Sequence, residues 1–273
     1  MMRMRSLAMP LFSLIIFTSL NAHSEEKKVI KLGFNPGPYK EQFEKGVAPY
    51  LINKGYRIEY KDFNDGIQVN NAVSTGEIDG NIMQHPIYLQ AINERLRIDN
   101  IGIVQVPTPP MGLYSDKYQQ GQKDQKPKEG ALISVPNQPS NEYRAALLLQ
   151  SIGWIKLKEK IDPAIFSQKD IAENPYHLVI KEMDNAQQVR ALPDVDFGAI
   201  QGNFAVSNGI KLSSALQLEK PTTQFVNVVT VAGKNKDAEF SKDIIAGYHS
   251  AEFKKYIQEN EKYTGYMLPD YLN

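Results

Sequence analysis

Residues 79–90, DGNIMQHPIYLQ, set a Gln, a His and a Pro between a glycine approach and an aromatic. A β-α loop opening onto a cleft at this point presents Gln84, His85 and Tyr88 to whatever the cleft holds. A second candidate is Arg144, in the first turns of the helix expected over PSNEYRAALLLQ. An Arg beside helix N-terminal N–H groups offers a carboxylate bidentate, charge-assisted bonds. Plainer readings stand beside both. A lone His is more often structural, and an Arg more often lies exposed on the surface.

The signatures of other chemistries are missing. The sequence contains no G-x-x-x-x-G-K-[ST] loop, no G-x-G-x-x-G turn, no H-E-x-x-H pair and no G-x-S-x-G elbow. With no Cys and only four His, a zinc centre has no ligand set, and no metal or cofactor is expected. His23, His177 and His249 occupy bland positions, and KLKEK at Lys156–Lys160 reads as a solvated face. Lys+Arg and Asp+Glu both count 31, so no charge excess points to nucleic acid. His85 also has no Ser or Cys partner evident in the sequence, which argues against a catalytic residue of any kind.

The N-terminus reads as an export signal. Arg3 and Arg5 precede an apolar run from Leu7 to Leu20, followed by Ala22-His23-Ser24, with cleavage expected after Ser24. The run is short for a span of about 20 residues and is broken by Pro10, Ser13 and Thr18. Because no Cys is present, neither a disulfide nor an N-terminal lipid on Cys is available. The expectation is therefore a soluble periplasmic protein, neither lipidated nor membrane-anchored.

The positioning elements alternate. Val29, Ile30 and Leu32 begin a strand. Asn35-Pro36-Gly37-Pro38 turns, and one helix is expected through KEQFEKGVAPYLINKG, with Phe43, Val47, Tyr50 and Leu51 on its apolar face. YRIEYKDF reads as a strand, GIQVNNAVSTGEIDG as a helix ending near Gly76, and NIGIVQVP as a strand. After a polar stretch over Tyr114–Gly130 the pattern restarts: ALISVP, a turn, and a helix capped by Ser140 or Asn141. HLVIKEM, NAQQVRALP, VDFGAIQG and FVNVVTVAGK continue it, and the last forty residues read as helical. The fold class is α/β with largely parallel sheets, in two units with a late return of the chain.

These segments together resemble the NlpA/MetQ family, the methionine-type substrate-binding proteins of ABC importers. The stretches that carry the resemblance are IKLGFNPGP, FNDG, GEIDGNIMQHPIYL, PMGLYS, VPNQPSNEYRAALLLQSIGWIKLK, AIQGNFA and FVNVVTV, in order across nearly the whole mature chain. The resemblance implies a two-lobed periplasmic-binding fold, type II-like, with a ligand cleft between lobes. It implies a signal peptide at 1–24, lobe 1 at 25–113 and 230–273, and lobe 2 at 114–229. The implied partners are a small amino-acid-like ligand and an importer's permease and ATPase, met as a monomer. A surface antigen or adhesin, or a periplasmic enzyme, remains an alternative on the same scaffold.

By the same resemblance the family's F-Q-H-K-P-Y loop falls on Met83-Gln84-His85-Pro86-Ile87-Tyr88, keeping His85 and Tyr88 and replacing an aromatic by Met83. Its F-N-D-Y turn falls on Phe63-Asn64-Asp65-Gly66, losing a second ring at Gly66. Its carboxylate-binding Arg falls on Arg144, its strand-end Asn on Gln201, and its late Asn on Asn227. His85 is then a ligand contact from one lobe, with Arg144, Gln201 and Asn227 holding the amino-acid end from the other. A ring lost to Gly66 implies a void beside the ligand, and Gln201 is one methylene longer than Asn, so the resemblance implies a ligand other than free L-methionine: a larger amino acid, a D-amino acid or a dipeptide.

Overall fold

A computed structural model of the chain describes residues 29–118 and 126–273. The expected export signal at 1–24 lies outside the described residues. In chain order the elements are β1 (Val29–Phe34), α1 (Tyr39–Gly46), α2 (Ala48–Asn53), β2 (Arg57–Asp62), α3 (Gly66–Thr75), β3 (Gly80–Gln84), α4 (Pro86–Leu96) and β4 (Asn100–Gln105). Then follow β5 (Gly112–Tyr114), β6 (Leu132–Pro136), α5 (Pro139–Ser151), β7 (Lys156–Leu157), β8 (Ile171–Glu173), β9 (Val179–Met183) and α6 (Asn185–Arg190). The chain closes with β10 (Phe197–Ile200), α7 (Gly202–Ser207), β11 (Gln217–Leu218), β12 (Val228–Ala232), α8 (Glu239–Tyr248) and α9 (Ala251–Gln258), with short 3₁₀ turns between.

Two five-stranded sheets result, ordered β2-β1-β3-β12-β4 and β11-β5-β10-β6-β9. Each is the centre of one lobe, with its own core. Ile30, Leu32, Ile82, Val229 and Val231 pack under Phe43 and Phe253 in the first, and Ile133, Val135, Leu148, Leu149, Trp154 and Phe197 pack in the second. The sheets are mixed rather than largely parallel. β1 pairs parallel with β2 and β3, and β6 with β9 and β10. The strand β12, which re-enters from the other lobe, lies antiparallel to β3 and β4, and β5, entering the second sheet, lies antiparallel to β10. Antiparallel strands appear where the chain changes sheets, because there it arrives without the helical crossover that makes neighbours parallel.

The chain passes between sheets twice, through residues 106–111 and 219–227. The passes are bonded to each other. Asn227 N–H donates to Thr108 Oγ1 at 2.8 Å, the Thr108 hydroxyl donates to Val106 O at 2.8 Å, and Val106 N–H donates to Asn227 O at 2.8 Å. The expected lobe boundaries at 113/114 and 229/230 fall inside β5 and β12 rather than in these connections.

Local departures from the sequence reading have steric causes. The single helix expected after the Pro38 turn is two, broken at Val47. Pro49 cannot donate to Lys45 O, and its ring collides with that carbonyl in a continuous helix. The N-cap of α5 is Gln138, without a side-chain bond, while Ser140 and Asn141 lie inside the helix. Pro139 takes the first position, where a missing N–H costs nothing. By contrast Asp65 caps α3 as a side-chain acceptor from Ile67 and Gln68 N–H, both 2.8 Å, and Gly76 ends it at φ 80°.

α7 begins against the first connection. A Cβ on Gly202 would lie 2.5 Å from the Pro109 carbonyl oxygen and closer still to that of Pro110, both backbone atoms. Gly202→Ala should therefore destabilise the protein by about 1–3 kcal/mol, as overpacking does. Urea unfolding at constant m-value measures it, and an unchanged midpoint would mean that the connection yields freely.

Candidate functional site

The site is built where the two connections meet α4 and α5. β3 runs straight into α4, and His85 is the N-cap residue. Its Nδ1 accepts from Tyr88 N–H at 3.2 Å, and Pro86 takes the first helical position. With Nδ1 an acceptor, the ring proton is on Nε2, which donates to Asn141 Oδ1 at 3.0 Å. Asn141 Oδ1 also accepts from Gln201 Nε2 at 3.0 Å. One amide oxygen thus gathers a His from the first lobe and a Gln from the head of α7. The His85 ring stands edge-on to Phe225 at 5.3 Å and to Tyr88 at 6.3 Å between centroids. Both ring nitrogens are engaged and the residue is buried, so its pKa is pushed down to about 3, first by burial, then by the Arg144 charge, against the Asn141 bond.

Arg144 follows Asn141 by one helical turn, on the same face of α5. It is only 3% exposed. Its Nε donates to Glu219 Oε2 at 2.6 Å and its Nη2 to Glu219 Oε1. Met111 N–H donates to the same Oε1 at 2.6 Å, so both connections contribute to the pair. The guanidinium carbon lies 5.1 Å from the Phe225 ring centroid, a cation–π contact. Nη1 has no hydrogen-bond partner among the described residues. Tyr39, at the head of α1, reaches this region from the first lobe. It is buried, in side-chain contact with Thr108, and its hydroxyl stays protonated because burial and neighbouring Tyr266 push it up.

Of the residues singled out by sequence, His85, Arg144 and Gln201 come together, joined through Asn141. Asn227 lies on the second connection, two residues after Phe225, and its side chain makes no hydrogen bond to a described residue. Gln201 keeps its Oε1 buried and unpartnered. Gln84 instead turns inward, exchanging two 2.8 Å amide bonds with Asn70 and reaching Thr230 Oγ1 at 3.2 Å. Met83 packs with Phe63 on a small core of Val69, Val73 and Ile78. The void expected at Gly66 does not exist: a Cβ there would stand 2.5 Å from the Tyr88 hydroxyl and 3.1 Å from Met83 Cε. Tyr88 lies over the glycine, and the case for a larger ligand from that position falls with it.

Sequence reasoning missed Asn141 as a bridge, along with Glu219, Phe225 and Tyr39. Phe225 at least lay within a stretch that carried the family resemblance. Nothing local marks Glu219, an acid 75 positions from the Arg it holds. No group of three or more His, Cys, Asp or Glu among the described residues is arranged to hold a metal ion.

The profile of the family described as NlpA lipoprotein matches residues 30–271. The chain belongs to the NlpA lipoprotein family. It is 32% identical over 235 residues to the "Probable D-methionine-binding lipoprotein MetQ" of Haemophilus influenzae, covering 85% of each chain. The solved nutrient-binding protein of Burkholderia cenocepacia, bound to methionine, superposes with a TM-score of 0.80 at 34% identity over 87% of this chain and 98% of that one. A periplasmic substrate-binding protein of an ABC transporter from Coxiella burnetii gives 0.79 at 34% identity, over 88% and 100%. These NlpA relatives are named for binding, not for catalysis.

The NlpA assignment corrects one expectation. A protein neither lipidated nor anchored was expected, but the family is a lipoprotein family and the MetQ relative is named a lipoprotein. The expectation rested on the chain's having no Cys. No helix among the described residues is long and apolar enough to cross a membrane.

The buried His85 has a consequence for stability. Its ordinary value is 6.5, so below that pH the unfolded chain takes up a proton that the folded chain refuses. Stability is full above pH 6.5 and falls as pH drops toward about 3, by up to about 1.4 kcal/mol per pH unit. Urea unfolding between pH 7.5 and 4.5 should show a steeper loss in the native protein than in His85→Gln; equal losses would place the ring in water.

Proposed function

We propose that this NlpA-family protein is the periplasm-facing substrate-binding protein of an ABC importer, taking methionine or a related amino acid or small peptide between its lobes. The observation that carries this is Arg144: a buried guanidinium with Nη1 unpartnered, in the seam where both connections meet α5. A donor left open at the edge of a fixed guanidinium is placed to meet a ligand carboxylate. Arg144 takes the ligand carboxylate, and the open amide groups of Asn227 and Gln201 take the rest of the amino-acid end. His85 closes the site from the first lobe through Asn141, with Tyr88, Met83 and Gly66 as the wall beside it. Lobe 1 is the sheet β2-β1-β3-β12-β4 with its helices and lobe 2 the sheet β11-β5-β10-β6-β9 with its own, exchanged at the two connections. The protein works as a monomer with a permease and ATPase. The named binding functions of the MetQ relative and the methionine-bound Burkholderia protein support the ligand class.

Calorimetry against both hands of methionine, other amino acids and methionine dipeptides tests this. Arg144→Ala should weaken the best ligand by about 2–5 kcal/mol, on the order of 30- to several-thousand-fold. Because that variant leaves Glu219 buried without a counter-charge, Arg144→Met with Glu219→Gln serves as the folded control and should lose binding equally. A loss under about threefold in both would remove Arg144 from the binding site.

A further inference from the structure

We infer that Glu219 is a positioning and charge-setting residue of the cleft: it grips Arg144 along one edge, leaves Nη1 for a ligand carboxylate, and cancels the buried cation so that the cleft accepts ligands whose own charges sum to zero. The inference rests on the amino-acid-binding reading above and names a determinant of its ligand class.

The geometry carries it. A guanidinium has two edges that can each meet a carboxylate in parallel bonds. Glu219 occupies the Nε and Nη2 edge. Its own carboxylate is fixed by Met111 N–H at 2.6 Å, and the Phe225 ring lies 5.1 Å from the guanidinium carbon. The planar head is therefore held by a carboxylate along one edge and by a ring on one face, and Nη1 remains without a hydrogen-bond partner among the described residues. A purely structural ion pair gives no reason for that. The side chains of Arg144 and Glu219 are 3% and 6% exposed, so the pair itself is almost wholly withdrawn from solvent.

The charge count follows from the same pair. Arg144 and Glu219 sum to zero. The other titratable groups at the site add nothing: His85 is neutral through burial, and Tyr39 and Tyr266 keep their protons for the same reason. Without Glu219, a buried cation would welcome a simple anion. With Glu219, a bare anion brings an uncompensated charge beside a pair that is almost wholly buried, whereas a zwitterion brings none. An acceptor for the ammonium end is open nearby, since Gln201 Oε1 is buried and unpartnered while its Nε2 is held by Asn141, one turn from Arg144.

The test uses the full protein freed of retained ligand, with three probes of nearly one shape: L-methionine, 4-(methylsulfanyl)butanoic acid, which lacks the ammonium, and L-methioninamide, which lacks the carboxylate. By calorimetry the native protein should prefer methionine to either by about tenfold or more. In Glu219→Gln the butanoic acid should gain on methionine by about tenfold or more, because the cation is no longer cancelled. Glu219→Asp keeps the charge but shortens the reach, so it should weaken all binding while preserving the ranking. An unchanged ranking in Glu219→Gln, or a native protein that takes the anion as readily as methionine, overturns the inference. Should Glu219→Gln fail to fold, the native ranking and Glu219→Asp decide it by the same criteria. Should none of the three probes bind the native protein, the amino-acid reading has failed. Acetate then separates the two claims: it should raise the melting temperature of Glu219→Gln but not of the native protein or of Arg144→Met/Glu219→Gln, and no such shift overturns the role of Glu219.

Discussion

The buried pair of Arg144 and Glu219 is the interaction on which the site depends. It ties α5, the main helix of the second lobe, to the connection that returns the chain to the first. Through Met111 N–H it takes in the other connection as well. Two charges out of water are expensive, and their attraction offsets that cost only when geometry and further hydrogen bonds are good. Here both carboxylate oxygens are used, a backbone donor adds a third bond, and an aromatic ring lies 5.1 Å from the cation. Such a pair says little about net stability. It says much about where a guanidinium must point.

A second network does comparable work within the first lobe. Asn70 and Gln84 exchange amide bonds, and Asn81, Asn100 and Thr230 join them. This links α3 to β3, β4 and β12. β12 is the strand that arrives from the second lobe, so the network seats the end of the second connection. With β3 held firmly, His85 at its end is set at the head of α4, where its ring serves α4 on one side and Asn141 on the other. Asn100 Oδ1 alone of these amide oxygens is left without a partner, and a buried network of this sort fixes one arrangement because any alternative leaves further amides unpaired in a low-dielectric interior.

The seam where the connections meet α5 is thus a place where polar side chains from distant parts of the sequence each keep one group open. Arg144 keeps Nη1, Gln201 keeps Oε1, and Asn227 keeps its side chain free of hydrogen-bond partners among the described residues. A donor cation beside amide groups is the complement of an amino-acid end. The wall beside it is drier: Tyr88 covers Gly66, and Met83 belongs to a small hydrophobic core. Family resemblance at Gly66 pointed to empty space because it compared single positions. Tyr88 filled that space from a different element.

The sequence by itself determined the alternation of strands and helices, and with it the α/β class. Apolar periodicity sets which face each element buries, and turn residues such as Gly76 and the Asp65 cap act within a few positions of themselves. It also determined that His85 and Arg144 stand at helix beginnings, since Pro86 and Pro139 mark those starts locally. Only the tertiary structure decided what those residues meet. The partner of Arg144 is 75 positions away, the partner of His85 is 56, and Asn141, read as a cap, became the joint between lobes. The mixed strand directions were decided there too, by a chain that crosses between sheets twice. The reason is one of range: propensity and capping act over a turn or two of backbone, while hydrogen-bond partners and filled volumes are set by elements that become neighbours only when the chain has folded.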